Sequence, residues 1–595
     1  MAECRIQSTD KQQLTTDNPK DVIMSEFIEP QKYTMDALFG EVVKQHGHRP
    51  ALAFVGEQPF TYAEFGEKVA ALQAQMEQYG LKKGDKVVLL GPNSPNWAVA
   101  YMAVTTFGTV AVPVMDEFPE SDVEHTLGHS EAKAIFIDEG LFKSLNLPSL
   151  EQMLVVFNLK DFSLLNEPPQ SETLLKQVQH LPEKIKKATG QMPVVDPGGA
   201  AIHEDDLAEI LYTSGTTGHS KGVMLTHKNL VSNTLAGAQV IGGLSPESVL
   251  LGILPLAHAF GCTSAFLTVV YSGGSIYFLS RKPSPKVLMS AMQQVRPTLL
   301  GAVPLVFEKI YHKQVVPQIA KNPVLRRAVK VAPLRKLLYK VIGKRVKEAL
   351  GGRLDTVVIG GAGLAPEVET FMREGGLPYL VGYGMSECAP LITASTTQNN
   401  RYGSCGYAIR DVQVEIFEPN PETGTGEILV KGPNVMQGYF KNEAETRKVF
   451  TNDGWLITGD RGYLDADGYL YIKGRSKNVI IGPSGENIYP EIIEDKLKGS
   501  PYVEEALVYE LDGKIVARVY PDYLYIEGVV KGKDEAVLAA EITRLLEQVR
   551  VETNAQLPSF SKIQEIIEQR MPFLKTPTNK IKRAEYIPNY GKARQ

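Results

Sequence analysis

Short, uncharged runs rich in Val, Ile and Leu alternate with helix-like segments through much of this chain, and few folds accommodate that pattern. KVVLLG precedes NWAVAYMAVTTFG, and TVAVPVM, KAIFID, SVLLGILPL, SIYFLS, PTLLGAVP and TVVIGG follow in turn. Strands that are apolar throughout and separated by helices fit parallel sheets with both faces covered. From about Ser404 the texture changes: VQVEIFEP, GEILVKG and YLYIKG, broken by Gly, Pro and Asn-Asp-Gly, read as antiparallel hairpins or a small barrel. After GRSKNVIIGPSGENIYP come EIIEDKLKG, EEALVYEL, KIVARVYP and a long polar helix-like stretch, together a compact α+β unit. The expected fold is α/β: a large N-terminal domain of parallel-sheet subdomains with a small β-barrel-like subdomain, then a small α+β C-terminal domain. A length of 595 residues exceeds what one hydrophobic core serves, and the boundary falls near Lys477.

Composition removes several classes of function. A formal charge of -5, with 43% hydrophobic and 22% charged residues, provides no overall field for nucleic acid, so any polyanion must meet a local site. Cys4, Cys262, Cys388 and Cys405 show no CxxC spacing, which argues against a disulfide framework and a zinc site and fits a reducing cytoplasm. Residues 1–27 lack the apolar core of a signal peptide and read as a poorly ordered leader. Ser248 to Ser280 contains no Lys, Arg, Asp or Glu and is long enough in principle to span a bilayer. Pro255, His258, Gly261, Gly273 and Gly274 cut it into pieces, and AFLTVV and SIYFLS suit a buried helix and a buried strand.

The segment LAEILYTSGTTGHSKGVMLTH, Leu207 to His227, runs from a strand into Thr213, Ser214, Gly215, Thr216, Thr217, Gly218 and Ser220 and ends at Lys221. Glycines let backbone N–H groups approach phosphate oxygens, hydroxyls add donors, and the lysine brings positive charge. Taken alone, such a loop is as readily a surface loop. It is not a Walker A loop, because Gly222 follows Lys221 and GxxxxGK[ST] occurs nowhere in the chain. The order YTSGTTGxxKG resembles the signature of the adenylate-forming superfamily of acyl-CoA synthetases, luciferases and peptide-synthetase adenylation domains. LPLAHAFG, GGAGLAP, GYGMSE, GWLITGD, KGRSKNVI and KTPTNKIKR follow in the family's order, so the resemblance spans roughly Tyr33 to Arg583.

That resemblance implies ATP and Mg²⁺ as cofactors, coenzyme A as co-substrate, and a role for each matched residue. Thr213, Ser214, Gly215, Thr216, Thr217, Gly218 and Lys221 close over the β and γ phosphates, with Thr216 among the catalytic set. Glu387 holds Mg²⁺, and Ser386 stands beside the α-phosphate. Gly361 and Ala362, with Tyr383, form the adenine cradle, Gly384 is a further cofactor-binding residue, Asp460 binds the ribose hydroxyls, and Arg475 contacts ribose or phosphate. His258 lies near the acyl carboxylate; as a lone histidine in an apolar stretch it would more often be a satisfied core residue. Lys580 brings a cation to the carboxylate and α-phosphate during adenylation. Lys477 matches the hinge between a domain of residues 28–474, which binds ATP and the acyl substrate, and a mobile domain of residues 475–595. Rotation there removes Lys580 and brings the strand around Gly485 to line the pantetheine channel.

Two positions depart from the pattern: Ser220 stands where many relatives have Pro, and Asn579 where many have Gly before the catalytic lysine. RPTLLGAVPLVFEKIY, Arg296 to Tyr311, and the insertion after it resemble long-chain fatty acid–CoA ligases, so a fatty acid is the expected substrate. The insertion, residues 321–353, holds eleven Lys and Arg against one acid, Glu348. It reads either as a basic amphipathic helix resting on anionic lipid at the inner face of the membrane, or as a packed helix with an ordinary solvated face. Two rival functions stay open: an adenylating ligase that uses a carrier-protein thiol or stops at acyl-AMP, and a non-catalytic fatty-acid-binding protein on the same fold.

Overall fold

The computed structural model describes residues 29–166, 201–213, 220–482, 486–530, 535–576 and 580–588. Residues 1–27, expected to form the leader, lie outside them. Two large sheets organise the N-terminal body. In the first, Leu207–Thr213, Val110–Val114, Lys86–Leu90, Ala134–Ile137 and Val155–Asn158 run parallel, and Lys221–Thr226 and Gly438–Tyr439 extend one edge antiparallel. In the second, Tyr379–Gly384, Thr356–Ile359, Leu299–Ala302, Val249–Gly252, Ser275–Phe278 and Pro50–Phe54 are successive parallel neighbours. The apolar runs of the sequence are these strands. Most are buried on both faces, which is why they show no polar alternation.

The helix Pro95–Phe107 shows how completely the sheets are covered. Every residue in it except Asn96 is buried, and none is charged. Ser94 caps its first turn by accepting from the Trp97 amide, Pro95 occupies the first helical position, and Gly108 ends it at φ +83°. Its Tyr101 hydroxyl donates to Glu209 at 2.5 Å. Glu209 sits fully buried on the strand that feeds the phosphate loop, and burial pushes its carboxyl up to about 7 against the opposing effect of that hydrogen bond. The helix therefore pins the strand by a polar contact inside an apolar core.

Gln413–Phe417, Gly426–Lys431, Leu456–Leu464 and Leu470–Arg475 form a four-stranded antiparallel sheet, the β-rich unit expected after Ser404. Beyond it, Val503–Leu511 pairs antiparallel with Lys514–Pro521, which pairs parallel with Glu565–Glu568; the helices Pro490–Lys498 and Glu535–Asn554 belong to the same unit. This unit has its own core around Ile493, Leu497, Val508, Ala517, Leu545 and Val549, to which, among the described residues, none before Ile480 contributes. Among the described residues, no helix is long and apolar enough to cross a membrane.

Candidate active site

One edge of the candidate site begins where Thr213 and Lys221 face each other as register partners on antiparallel strands. Ser214, Gly215, Thr216, Thr217 and Gly218 lie outside the described residues. The Lys221 ammonium stands 4.8 Å from the centre of the Tyr439 ring and forms a 2.5 Å ion pair with Glu445. Lys221 and Lys448 hold the Glu445 carboxyl down to about 2, so that carboxyl stays ionised at any working pH. Ser220 has a buried hydroxyl with no partner among the described residues.

Glu387 sits in the short 3-10 helix Ser386–Cys388, directly after the strand Tyr379–Gly384. The turn is held from several directions. Asn233 and Asn434, from separate elements, each donate side-chain hydrogen bonds to the carbonyls of Cys388 and Leu391, and the Met436 amide donates to the Glu387 carbonyl at 2.9 Å. Ala389, which closes the turn, takes a left-handed φ of +60°, a conformation that a side chain adopts only under such constraint. Tyr439 donates to Glu387 Oε1 at 2.9 Å, so a single tyrosine contacts both the candidate metal ligand and the phosphate lysine. Gly384 is explained by the chain itself: a Cβ there would lie 2.1 Å from the Pro390 carbonyl oxygen.

Around Asp460 the groups are paired more closely. Asp460 and Arg475 are register partners on adjacent antiparallel strands, with Arg475 Nε 3.0 Å from Asp460 Oδ1. The buried Tyr383 hydroxyl donates to Asp460 Oδ2 at 2.7 Å. Asp460 raises the Arg475 guanidinium further above its ordinary value, and burial followed by the same carboxylate raises the Tyr383 phenol. Gly361 adopts φ +86° and, with Ala362, is exposed.

Lys580 enters from the C-terminal unit on a turn tied at both ends. The Thr576 amide donates to the Lys580 carbonyl at 2.8 Å, the Lys580 amide reaches the Thr576 hydroxyl at 3.2 Å, and Lys575 bridges to Ile581. Asn579 lies outside the described residues. Arg583 fastens the same tail through a 2.7 Å ion pair with Glu494. Lys580 keeps solvent access, yet its surroundings lower its amine below the ordinary lysine value. Burial contributes most and Arg475 next, against the opposing pull of Asp460 and Glu387.

The charge of Lys580 also acts on His258. Burial, then Lys580, lowers that imidazole to about 4, so it is neutral at physiological pH. Its Nδ1 accepts from the Phe260 amide at 3.2 Å, which leaves the proton on Nε2. His258, Asp460, Arg475, Glu387 and Lys580 thus share one electrostatic neighbourhood, although they are far apart in the chain. Lys477 occupies an exposed turn directly after Arg475, and Gly485 lies outside the described residues.

A narrow apolar crevice, with room for little more than a water molecule, lies beside this centre, lined by Leu254, Gly261, Ala265, Phe266, Phe278 and Gly301 among others. Gly261, three residues after His258, opens the π-helix Phe260–Leu267 near its start; a Cβ there would lie 2.0 Å from the Pro255 carbonyl oxygen. Tyr439, Glu445, Asn233 and Asn434 were not singled out from the sequence. The one local signal was GYFKNEAET, in which Asn442 caps the short helix that carries Glu445.

The sequence pattern of the AMP-binding enzyme family matches residues 39–440, more than half of the chain. The chain belongs to that family. It is similar to fatty acyl-CoA synthetase A of Dictyostelium discoideum, 28% identical over 557 residues that cover 86% of this chain and 82% of the relative. It is also similar to the peroxisomal long chain acyl-CoA synthetase 7 of Arabidopsis thaliana, 29% identical over 586 residues that cover 91% of this chain and 81% of the relative. Among solved structures, ATP-bound MatB from Rhodopseudomonas palustris aligns with a TM-score of 0.70 at 25% identity, covering 93% of this chain and 98% of its own. The anthranilate CoA ligase AuaEII in complex with anthranoyl-AMP shares the fold, with a TM-score of 0.71 at 18% identity over 94% of this chain and 97% of its own. These relatives agree with the α/β architecture read from the strand pattern.

Proposed function

We propose that the protein is an ATP-dependent acid–thiol ligase that converts a long-chain fatty acid into its coenzyme A thioester through an acyl-adenylate. The observation that carries this reading is the arrangement of Asp460, bound by Arg475 and Tyr383, with Glu387, bound by Tyr439, in a site where the charge of Lys580 acts on His258 and is acted on by Arg475, Asp460 and Glu387. The similarity to fatty acyl-CoA and long chain acyl-CoA synthetases supports the choice of acid. A fatty-acid binder without chemistry has no use for that convergence of charges.

In the first half-reaction a carboxylate oxygen bonds to the α-phosphorus of ATP and the bond to the pyrophosphate oxygen breaks. Both reactants are anionic, so counter-charge and position decide the rate. Lys580 sets its cation at the reacting oxygens and is supplied only by this lid position, which favours the transition state over the resting complex. Neutral His258 presents its Nε2–H to the acyl carboxylate. Asp460 accepts from the ribose hydroxyls while Arg475 and Tyr383 hold it in place. Gly361, Ala362, Tyr383 and Gly384 frame the base, Ser386 stands by the α-phosphate, and Lys221 with Thr213 to Gly218 covers the outer phosphates.

A Mg²⁺ ion fits the donor set at Glu387. Glu387, whose Oε1 is steadied by the Tyr439 hydroxyl, would hold the ion through a hard carboxylate oxygen, and the ion would neutralise phosphate charge. In the second half-reaction the domain of residues 475–595 rotates about Lys477 against residues 28–474, Lys580 withdraws, and the segment around Gly485 lines the thiol channel. The thiol sulfur bonds to the acyl carbonyl carbon, the bond to the phosphate oxygen breaks, and AMP leaves.

The test is to supply fatty acid, ATP and Mg²⁺ with either coenzyme A or a phosphopantetheinylated acyl carrier protein, and to identify the thioester by mass. Acyl-CoA with stoichiometric AMP is expected. Thioester on the carrier alone, or acyl-AMP that accumulates with both thiols present, contradicts the proposal.

A further inference from the structure

The helix Ala332–Ala349 is amphipathic in an unusual sense: both of its faces carry apolar side chains, and only one is packed. The inner face docks on the helix Pro366–Glu374. There Tyr339 meets the Phe371 ring edge-on at 5.2 Å, Gly343 presses on the Gly375 backbone, and Arg335 makes a bidentate ion pair with Glu374 at 2.7 and 2.9 Å. Those contacts fix the rotation of the helix about its axis. The opposite face carries Leu334, Leu337 and Val341 at i, i+3 and i+7, exposed by 49%, 63% and 51%. Val324, on the preceding short helix Pro323–Ala328, is exposed by 72%.

Cations flank this stripe. Lys336, Lys340 and Lys344 follow its edge at four-residue spacing, Arg345 lies past its C-terminal end, and Lys321, Arg326, Arg327 and Lys330 are exposed on the segment before it. Among the described residues none of these eight forms an ion pair; Arg335, on the inner face, is the exception in the segment. The segment of residues 321–353 has eleven basic residues and one acid, in a chain whose net charge is -5. Positive charge is concentrated where apolar surface is left bare.

We infer that this face is a peripheral docking surface for an anionic lipid bilayer. Leu334, Leu337 and Val341 would seat at the boundary between headgroups and acyl chains, while the lysine stems lie along the apolar surface and their ammonium groups reach lipid phosphates. Nucleic acid would satisfy the cations but leave the leucine stripe in water, and an acidic protein lacks the acyl layer that the stripe fits. The inference rests on the surface itself and not on the reaction proposed above; if both hold, the face brings the enzyme to the phase in which a fatty acid dissolves.

Flotation of the full chain with vesicles of phosphatidylcholine, alone or mixed with phosphatidylglycerol, tests it. The wild type is expected to float with the mixed vesicles, and far less with phosphatidylcholine alone or at high salt. Leu334→Ser/Leu337→Ser/Val341→Ser and Lys336→Glu/Lys340→Glu/Lys344→Glu are each expected to lower partitioning by roughly tenfold or more. Both should keep the wild-type thermal midpoint and the turnover of detergent-dispersed substrate. Wild type that stays at the bottom of the gradient, a serine variant that floats like wild type, or release from vesicles by a DNA duplex at equal phosphate concentration would each overturn the inference.

Discussion

The two sides of the nucleotide site are prepared differently. On the side proposed for ribose, Asp460 is held by Arg475 and Tyr383, one on each carboxylate oxygen, which leaves the carboxylate further acceptor capacity. On the side proposed for the outer phosphates, Lys221 is engaged with Glu445, an internal anion. Under the proposed function, one side is pre-organised for its ligand and the other would exchange an internal partner for it. Strand register accounts for the contrast, since Asp460 and Arg475 are paired through the backbone. Lys221 and Glu445 meet only through their side chains, across 224 residues of sequence.

The largest effect is expected at Asp460. Removing it in Asp460→Ala leaves Arg475 and Tyr383 without their partner and deletes two charge-assisted bonds to ribose, so kcat/KM for ATP should fall by about 10²–10³. Asp460→Asn, which keeps an acceptor for Tyr383, should fall less. An unchanged KM for ATP in the alanine variant would remove the ribose assignment and with it this half of the contrast. Next comes Lys221→Ala, in which loss of one cation from the outer phosphates should lower kcat/KM for ATP by roughly tenfold to a hundredfold.

Glu445→Gln should act in the opposite direction. The pair with Lys221 is partly exposed and worth about 0.5–1 kcal/mol, so freeing the lysine should reduce the KM for ATP by about two- to fivefold. A higher KM would mean that Glu445 aims Lys221 and does not compete for it. The smallest effect concerns acid stability. The Glu445 carboxyl is depressed to about 2, so its ion pair stabilises the fold above the ordinary glutamate range and that contribution fades as pH falls toward 2. Discounted for solvent screening, wild type should lose at most about 1 kcal/mol relative to Glu445→Gln across that window, measured by denaturant unfolding.

The same contrast marks what could be read in the sequence. Strands buried on both faces leave uncharged runs, so KVVLLG, TVAVPVM and TVVIGG are legible as Lys86–Leu90, Val110–Val114 and Thr356–Ile359. Asp460 and Arg475 lie in one hairpin, and the motif order points to both. Tyr439 and Glu445 were missed because nothing local records that Lys221 would face them, and Asn233 and Asn434 were missed because buried amides that hold a turn look like any other polar residue. The uncharged stretch after His258 is legible as a buried helix but not in its π geometry, nor is the close approach of Gly261 to the Pro255 carbonyl at its start, since neither leaves a mark on periodicity.

The central claim is that Lys580, carried by the C-terminal unit, supplies charge to adenylation and to no later step. Its direct test separates the half-reactions of Lys580→Ala: fatty-acid-dependent exchange of labelled pyrophosphate into ATP, and conversion of supplied acyl-AMP and coenzyme A to acyl-CoA. Exchange should drop by roughly 10²–10³ while thioester formation proceeds near the wild-type rate. Exchange that survives the substitution, or equal loss of both activities, would contradict it.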